Sequence, residues 1–128
     1  MLDHIGLPVS NCERAKAFYL KALAPLGYSI VMEVTKAESG GAYEGAGFGD
    51  KKPYFWISGG EALKGQLHVA FVAKNRAVVD AFHRAAVAAG GKDNGAPGLR
   101  PHYHPNYYAA FALDPDGHNI EAVCHAPG

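Results

Sequence analysis

Polar and apolar residues alternate at the start of the chain. Residues 2–9 place Ile5, Leu7 and Val9 on one face and His4 on the other. This period of two predicts a half-buried strand. Because the apolar face must pack beneath a helix, His4 is expected to point to the opposite side of the sheet.

A helical pattern follows this strand. Apolar residues recur at spacings of three and four, at Ala15, Phe18, Ala22 and Leu26. This spacing predicts an amphipathic helix with one apolar stripe. Ser10 and Asn11 are the candidate N-caps, and Pro25 with Gly27 ends the helix.

The chain repeats itself after 64 residues. Over residues 4–28 this shift gives seven identities in 25 aligned positions, including His4 with His68 and Phe18 with Phe82. The matches that are not alanine fall where a shared strand, cap, core aromatic and terminal glycine belong. We therefore expect two copies of one module, about residues 1–60 and 65–125, within a single domain over residues 1–128.

Each copy is predicted to be βαβββ. The later strands are expected over residues 28–35, 42–48 and 53–58 in the first copy, and over 99–104, 107–113 and 119–124 in the second. The second copy starts with a strand over residues 67–72 and a helix that Gly90 and Gly91 end. Residues 90–98 are expected to form a mobile loop. The predicted fold is α+β, with two βαβββ modules that can join as one curved mixed sheet.

Three polar residues are predicted to meet if the two copies join. His4 and His68 occupy the same repeat position, and Glu121 lies between apolar neighbours on the last strand. If the two copies join as one curved sheet, all three side chains face the same space. Two imidazoles and one carboxylate suit a divalent first-row metal ion and leave coordination positions open. The alternative is that these are ordinary polar residues of a metal-free scaffold.

A segment dense in donors follows the predicted loop. On an extended strand His102 and His104 share one face, where they are candidate general bases or extra ligands. If the opposite face, with Tyr103, points to the site instead, both histidines are excluded from it. Arg100 is a candidate for binding an anionic group of a ligand. The alternative is a solvated rim.

Two aromatic residues are candidates for contact with a substrate. Trp56 is either an aromatic wall against a bound organic ligand or a core residue of the sheet. Tyr107 and Tyr108 place one phenol on each face of their strand, and Tyr108 is taken as the substrate-binding one.

Composition and charge exclude several classes of partner. The chain has 128 residues, with 12 Lys and Arg against 12 Asp and Glu. Zero net charge and no long basic run argue against nucleic acid or membrane partners. The two cysteines, Cys12 and Cys124, are too few for a disulfide framework, and no signal sequence is recognisable, so a cytoplasmic protein is expected.

The segments around these residues resemble the vicinal oxygen chelate superfamily, which includes glyoxalase I, bleomycin and fosfomycin resistance proteins and extradiol dioxygenases. The resemblance rests on residues 3–9, on Phe18-Tyr19, on His68 and on the D-P-D-G-H-N-I-E run at residues 114–121. It implies paired βαβββ modules forming a metal-binding cleft, a divalent metal ion and bidentate binding of substrate oxygens. It also implies a homodimer, in which His4 can come from either chain.

The superfamily's metal positions match His4, His68 and Glu121. Glyoxalase I has a fourth ligand, a carboxylate, on the last strand of the first module, but residues 53–58 contain none. The resemblance therefore implies a metal-dependent enzyme for a small oxygenated substrate, either a lyase or isomerase with Zn or Ni, or a ring-cleaving dioxygenase with Fe(II) or Mn(II). The alternative is a non-catalytic protein that sequesters a drug or metabolite, of the bleomycin-resistance type.

Overall fold

Each half of the chain folds into one main helix against one four-stranded sheet in the computed structural model, which describes residues 1–41 and 43–128. The first module contains β1 (Ile5–Val9), α1 (Cys12–Ala22), a short 3₁₀ helix (Ala24–Leu26), β2 (Ser29–Val34), β3 (Gly45–Gly49) and β4 (Phe55–Gly59). The second contains β5 (His68–Val72), α2 (Arg76–Ala88), β6 (Lys92–Leu99), β7 (Tyr108–Leu113) and β8 (Asn119–Cys124). The α+β class and the two βαβββ modules are confirmed. Ala42, the first residue of one predicted strand, lies outside the described residues.

The strands of each module form their own sheet. The orders are β1-β4-β3-β2 and β5-β8-β7-β6, with β1 parallel to β4 and β5 parallel to β8. Within the described part of the chain no strand pairing joins the two sheets, so β1 and β5 both lie at sheet edges. No strand pairing therefore fixes how closely His4 approaches His68.

The helix caps repeat between the modules. The Asn11 side chain accepts a hydrogen bond from the backbone N–H of Arg14 at 3.0 Å, and Asn75 accepts one from Val78 at 2.9 Å. These bonds satisfy backbone donors that the first helical turn leaves without partners. Asn11, rather than Ser10, is thus the cap of α1.

The prediction of a mobile loop over residues 90–98 is wrong. Residues Lys92–Leu99 form the edge strand β6, antiparallel to β7, with irregular register around Gly95 and Gly98. Gly95 has φ of +153°, a backbone conformation that glycine adopts without a steric penalty. Glycine and proline are tolerated in a bulged edge strand, and this composition made β6 look like a loop.

The strand predicted over residues 99–104 is also wrong. β6 ends at Leu99, and the chain then turns back to β7. The backbone N–H of Arg100 donates to the Tyr107 carbonyl at 2.7 Å, and that of Tyr103 donates to the Arg100 carbonyl at 3.0 Å. His102 and His104 therefore lie on a turn.

The two modules share one core. The rings of Tyr19 and Phe55 pack at 5.0 Å between centroids, and Phe55 packs against Phe71 of the second module at 5.4 Å. Cys12 and Cys124 are both buried free thiols. Within residues 1–41 and 43–128, no helix is long and apolar enough to cross a membrane.

Candidate functional site

Strand β8 carries a buried carboxylate that faces a histidine of β5. Ala70 pairs with Glu121 across the parallel strands, so His68, two residues before Ala70, shares the face of Glu121. Glu121 is 1% exposed, and its Oε1 lies 2.7 Å from His68 Nε2. The His68 side chain is 53% exposed, so the pair opens to solvent on the imidazole side.

The second oxygen of Glu121 has its own partner. The Tyr107 hydroxyl donates a hydrogen bond to Glu121 Oε2. Burial, followed by this hydrogen bond, raises the pKa of Tyr107 to about 12. The phenol therefore keeps its proton through the physiological pH range and remains a donor to Glu121 Oε2.

An aromatic pocket opens above this carboxylate. It has a volume of about 390 Å³ and is lined by His68, Tyr103, Tyr107, Phe111 and Glu121. Three of its five lining residues are aromatic, so the polar pair forms one patch within an otherwise apolar wall. Such a combination of apolar walls and a few convergent polar groups is typical of small-molecule sites.

His4 lies at the edge of this arrangement. It precedes β1, and its Nδ1 lies 2.7 Å from Asp3 Oδ2, while Lys52 contacts the other oxygen of Asp3. His4 and His68 line the same neighbouring cavity of about 290 Å³. Within one chain and among the described residues, no three His, Cys, Asp or Glu side chains are placed to hold a metal ion. The structure brings His68 and Glu121 into contact, and His4 shares with His68 only the neighbouring cavity.

The two candidate bases lie outside the pocket lining. The His102 ring packs against the Tyr103 ring at 4.1 Å between centroids, with the planes tilted by 47°, and His104 Nδ1 accepts a hydrogen bond from the Asn106 N–H at 3.1 Å. Tyr103 itself lines the pocket. The turn thus contributes Tyr103 to the pocket lining, and neither imidazole belongs to that lining.

Arg100 lies next to the aromatic wall. Its guanidinium donates to the carbonyls of Ala96 and Gly98 at 2.8 Å each, and its central carbon lies 5.4 Å from the centre of the Phe111 ring. Among the described residues no carboxylate lies within ion-pair distance of this guanidinium. The charge is held rigidly by backbone carbonyls and stays available to an anion.

Tyr108 lies on the opposite face of β7. Its hydroxyl donates to Asp80 Oδ1 on α2 at 2.6 Å, and the Arg76 guanidinium lies 5.1 Å from the centre of its ring. These contacts join the sheet to α2. Tyr107, its neighbour, is the phenol that enters the pocket.

Trp56 occupies the repeat position of Glu121. It pairs with Gly6 as Glu121 pairs with Ala70, and Gly47 stands where Phe111 stands in the second module. A Cβ atom at Gly47 would lie 2.8 Å from Trp56 Cε2. The indole therefore rests against the bare backbone of β3, and the first module carries an aromatic platform in place of the buried carboxylate.

Replacing Gly47 by Ala is expected to displace the indole. The added methyl group would overlap Trp56 and would lie only 2.6 Å from Cβ of Pro53, and such overpacking costs about 1–3 kcal/mol. Trp56 is the only tryptophan, so its emission maximum reports this site directly. The matched control is Gly6→Ala, whose Cβ would lie at an ordinary 4.0 Å from Trp56 Cβ. Equal emission spectra for the two variants would contradict this packing.

Tyr107 is the residue that sequence reasoning missed. Strand parity is the signal that separates it from Tyr108. Phe111 pairs with Glu121 across the turn at residues 114–118. Tyr107 lies four residues before Phe111, so the two side chains point to the same face of the sheet. Tyr103 was missed because an extended strand was expected where the chain turns.

Comparison with solved structures supports a shared fold over nearly the whole chain. A glyoxalase/bleomycin resistance protein from Albidiferax ferrireducens is 27% identical, with a TM-score of 0.75 and 99% of each chain covered. A glyoxalase/bleomycin resistance protein/dioxygenase family enzyme from Burkholderia phytofirmans is 19% identical, with a TM-score of 0.69 and coverage of 97% of this chain and 98% of that chain.

A more distant match has bound ligands. A mutant of the genomically encoded fosfomycin resistance protein from Listeria monocytogenes, in complex with Mn(II) and 1S,2S-dihydroxypropylphosphonic acid, is 18% identical, with a TM-score of 0.68 and coverage of 96% of this chain and 88% of that chain. No curated protein sequence matches the chain. The family model described as the glyoxalase/bleomycin resistance protein/dioxygenase superfamily matches residues 1–122, and the chain therefore belongs to that superfamily.

Proposed function

We propose that this protein is a metal-dependent vicinal oxygen chelate enzyme that acts on a small oxygenated metabolite. His68, Glu121 and His4 would hold the divalent ion, and two adjacent oxygens of the substrate would fill its open positions. The observation that carries the proposal is the pair formed by His68 Nε2 and Glu121 Oε1, 2.7 Å apart on the floor of an aromatic pocket.

The donors of this pair fit a divalent ion. An imidazole nitrogen and a carboxylate oxygen are the ligand types that Zn, Ni, Fe(II) and Mn(II) share. Glu121 is almost completely buried, and a hydrogen bond orients its second oxygen, as is usual for ligands of a metal site. The exposed side of His68 leaves an entry path for the ion and the substrate.

We assign the third ligand, His4, to a partner copy of the chain. Within one chain the three side chains do not converge, and His4 is held by Asp3 at the exposed end of β1. A two-fold homodimer places the same surface of both copies in contact, so the first module of one copy can cover the pocket of the other. Trp56 of the first module would then form part of the wall around the substrate.

The chain's own residues define how the substrate would bind. Bound in this site, the ion would act as a Lewis acid that polarises the chelated substrate oxygens. Phe111 and Tyr103 provide apolar contact to the body of the substrate, and Arg100 beside Phe111 offers N–H donors to an anionic group. Since Tyr103 occupies the inward-facing place on the turn, we assign no proton transfer to His102 or His104.

One relative supports this class of substrate. The Listeria fosfomycin resistance protein binds Mn(II) together with a dihydroxylated phosphonic acid. The 1,2-dihydroxy pattern of that ligand is a pair of adjacent oxygens of the kind proposed here. Lyase or isomerase chemistry with Zn or Ni and ring cleavage with Fe(II) or Mn(II) are the two reaction classes for this donor set.

Metal analysis tests the proposal. Protein purified without chelator is expected to contain about one divalent ion per chain by elemental analysis, since each chain supplies one His68 and one Glu121. We then expect His68→Ala to weaken binding of Mn²⁺ and Zn²⁺ by more than about 100-fold when the stripped protein is titrated. This loss exceeds the effect that is typical for a residue that contacts a metal ligand but not the metal itself. A screen of α-ketoaldehyde thiol adducts, catechols and fosfomycin then separates the reaction classes.

A second histidine variant controls for general damage. His83 lies on α2 and pairs with Asp93 at 2.9 Å, outside the pocket lining, so His83→Ala is expected to bind metal like the wild type. Wild-type protein that takes up no divalent ion, or a His68→Ala variant that binds as tightly, would contradict the proposal. Tight binding of a screened compound by metal-stripped protein would instead favour sequestration of the bleomycin-resistance type.

A further inference from the structure

The carboxylate of Glu121 is divided between two partners. Oε1 faces His68 Nε2, and Oε2 accepts the hydroxyl hydrogen of Tyr107. The residue is 1% exposed, so water does not compete for either oxygen. The two oxygens therefore have different surroundings, one beside a nitrogen ligand and one capped by a phenol.

Tyr107 is held firmly in this position. Its ring packs edge-on against Tyr103, at 5.0 Å between centroids, and against His125, at 5.2 Å. Its backbone N–H donates to the His104 carbonyl at 3.0 Å, and its carbonyl accepts from Arg100 at 2.7 Å. The turn and the segment after β8 thus fix both the main chain and the ring.

We propose that Tyr107 is a positioning residue that restricts Glu121 to one ligand oxygen. This inference rests on the proposed function, because it concerns how Glu121 would hold the metal ion. A carboxylate can bind a cation through one oxygen or through both, and the second mode occupies an extra coordination position. With Oε2 committed to the phenol, Oε1 remains for the ion, because a His68 nitrogen that binds the ion no longer donates a hydrogen bond to Oε1.

The restriction matters for a substrate that binds through two oxygens. A site with one-oxygen ligation by Glu121 keeps one more position open than a site with two-oxygen ligation. Bidentate binding of adjacent substrate oxygens requires two such positions. Tyr107 would therefore set the number of positions available to the substrate without touching the ion.

The internal repeat supplies a matched control. Tyr43 stands 64 residues before Tyr107, and the repeat position of Glu121 in its module is Trp56. Tyr43→Phe removes the same hydroxyl group from the equivalent place, in a module without the buried carboxylate. Tyr43 is 41% exposed, so this variant reports the effect of losing a phenol hydroxyl at a solvent-facing position of the repeat.

The test counts the water molecules bound to Mn²⁺ in the loaded protein, by water-proton relaxation. Tyr107→Phe is expected to lower the count by one relative to wild type and to Tyr43→Phe, because the freed Oε2 takes a position from water. Oxalate serves as a probe that binds through two oxygens. We expect the Mn²⁺-loaded Tyr107→Phe variant to bind oxalate about 10-fold more weakly than wild type, the lower end of effects seen for partners of metal ligands. Circular dichroism confirms that both variants are folded.

The outcomes separate this inference from the proposed function. If wild type binds Mn²⁺ and Tyr107→Phe shows the wild-type water count and oxalate affinity, the role of Tyr107 is refuted and the metal site stands. If Tyr43→Phe changes both quantities as much as Tyr107→Phe, the role is likewise refuted. If wild-type protein binds no Mn²⁺, the metal proposal fails and this inference fails with it.

Discussion

Replacing Asp114 by Ala is expected to lower the free energy of unfolding by about 3 kcal/mol or more, because three hydrogen-bond donors lose the buried carboxylate that accepts from them. Asp114 is 5% exposed in the turn between β7 and β8. Its Oδ1 accepts the backbone N–H groups of Asp116 at 2.9 Å and His118 at 2.8 Å, and its Oδ2 accepts the hydroxyl of Tyr19 on α1. Urea unfolding followed by circular dichroism measures the loss.

The size of this effect follows from the environment of the donors. Tyr19 is fully buried, so its hydroxyl has no water to replace the lost acceptor. A buried donor left unpaired costs about 1–3 kcal/mol, and Asp114→Ala leaves more than one. The bond from Tyr19 also joins α1 of the first module to the second, so its loss loosens the packing between the modules.

Two further variants calibrate the result. Tyr19→Phe removes a single hydrogen bond to Asp114 and is expected to cost about 1–2 kcal/mol. Asp50→Ala, at an exposed position, is expected to change stability by less than about 0.5 kcal/mol. If Asp114→Ala is no more destabilising than Asp50→Ala, this turn does not hold the modules together.

Periodicity predicted the half of the site that lies within one sheet. Strand alternation assigns Glu121 and His68 to a common face, and their strands pair directly. The same parity rule places Tyr107, rather than Tyr108, beside Glu121. What alternation cannot give is the packing of one sheet relative to another, and the position of His4 depends on that packing.

Irregular backbone limited the rest of the prediction. β6 contains Gly95, Pro97 and Gly98, which individually disfavour a strand, and its pairing with β7 is maintained across bulges. The strand predicted over residues 99–104, which is a turn in the structure, placed His102 and His104 on one face. Tertiary pairing with β7 overrode local propensity here, as it often does at sheet edges.

Mixing two variants that each bind metal weakly is expected to restore part of the metal binding. His4→Ala and His68→Ala each remove one proposed ligand, so each homodimer should bind Mn²⁺ weakly at both sites. If His4 reaches the pocket of the partner copy, a mixed dimer contains one site with both changes and one intact site. Random exchange makes about half of the dimers mixed, so about one quarter of all sites should regain wild-type affinity. Titration with Mn²⁺ before and after exchange measures the recovered fraction.

This experiment separates an interchain site from one within a single chain. If His4 and His68 of the same chain shared an ion, every chain in the mixture would still lack one ligand, and no site would recover. A control mixture of His68→Ala with Glu121→Ala is expected to recover nothing in either case, because both residues belong to the same module of one chain. Recovery in the first mixture and none in the second would assign His4 to the partner. Equal behaviour of both mixtures would contradict that assignment, since only an interchain ligand can complement across the dimer.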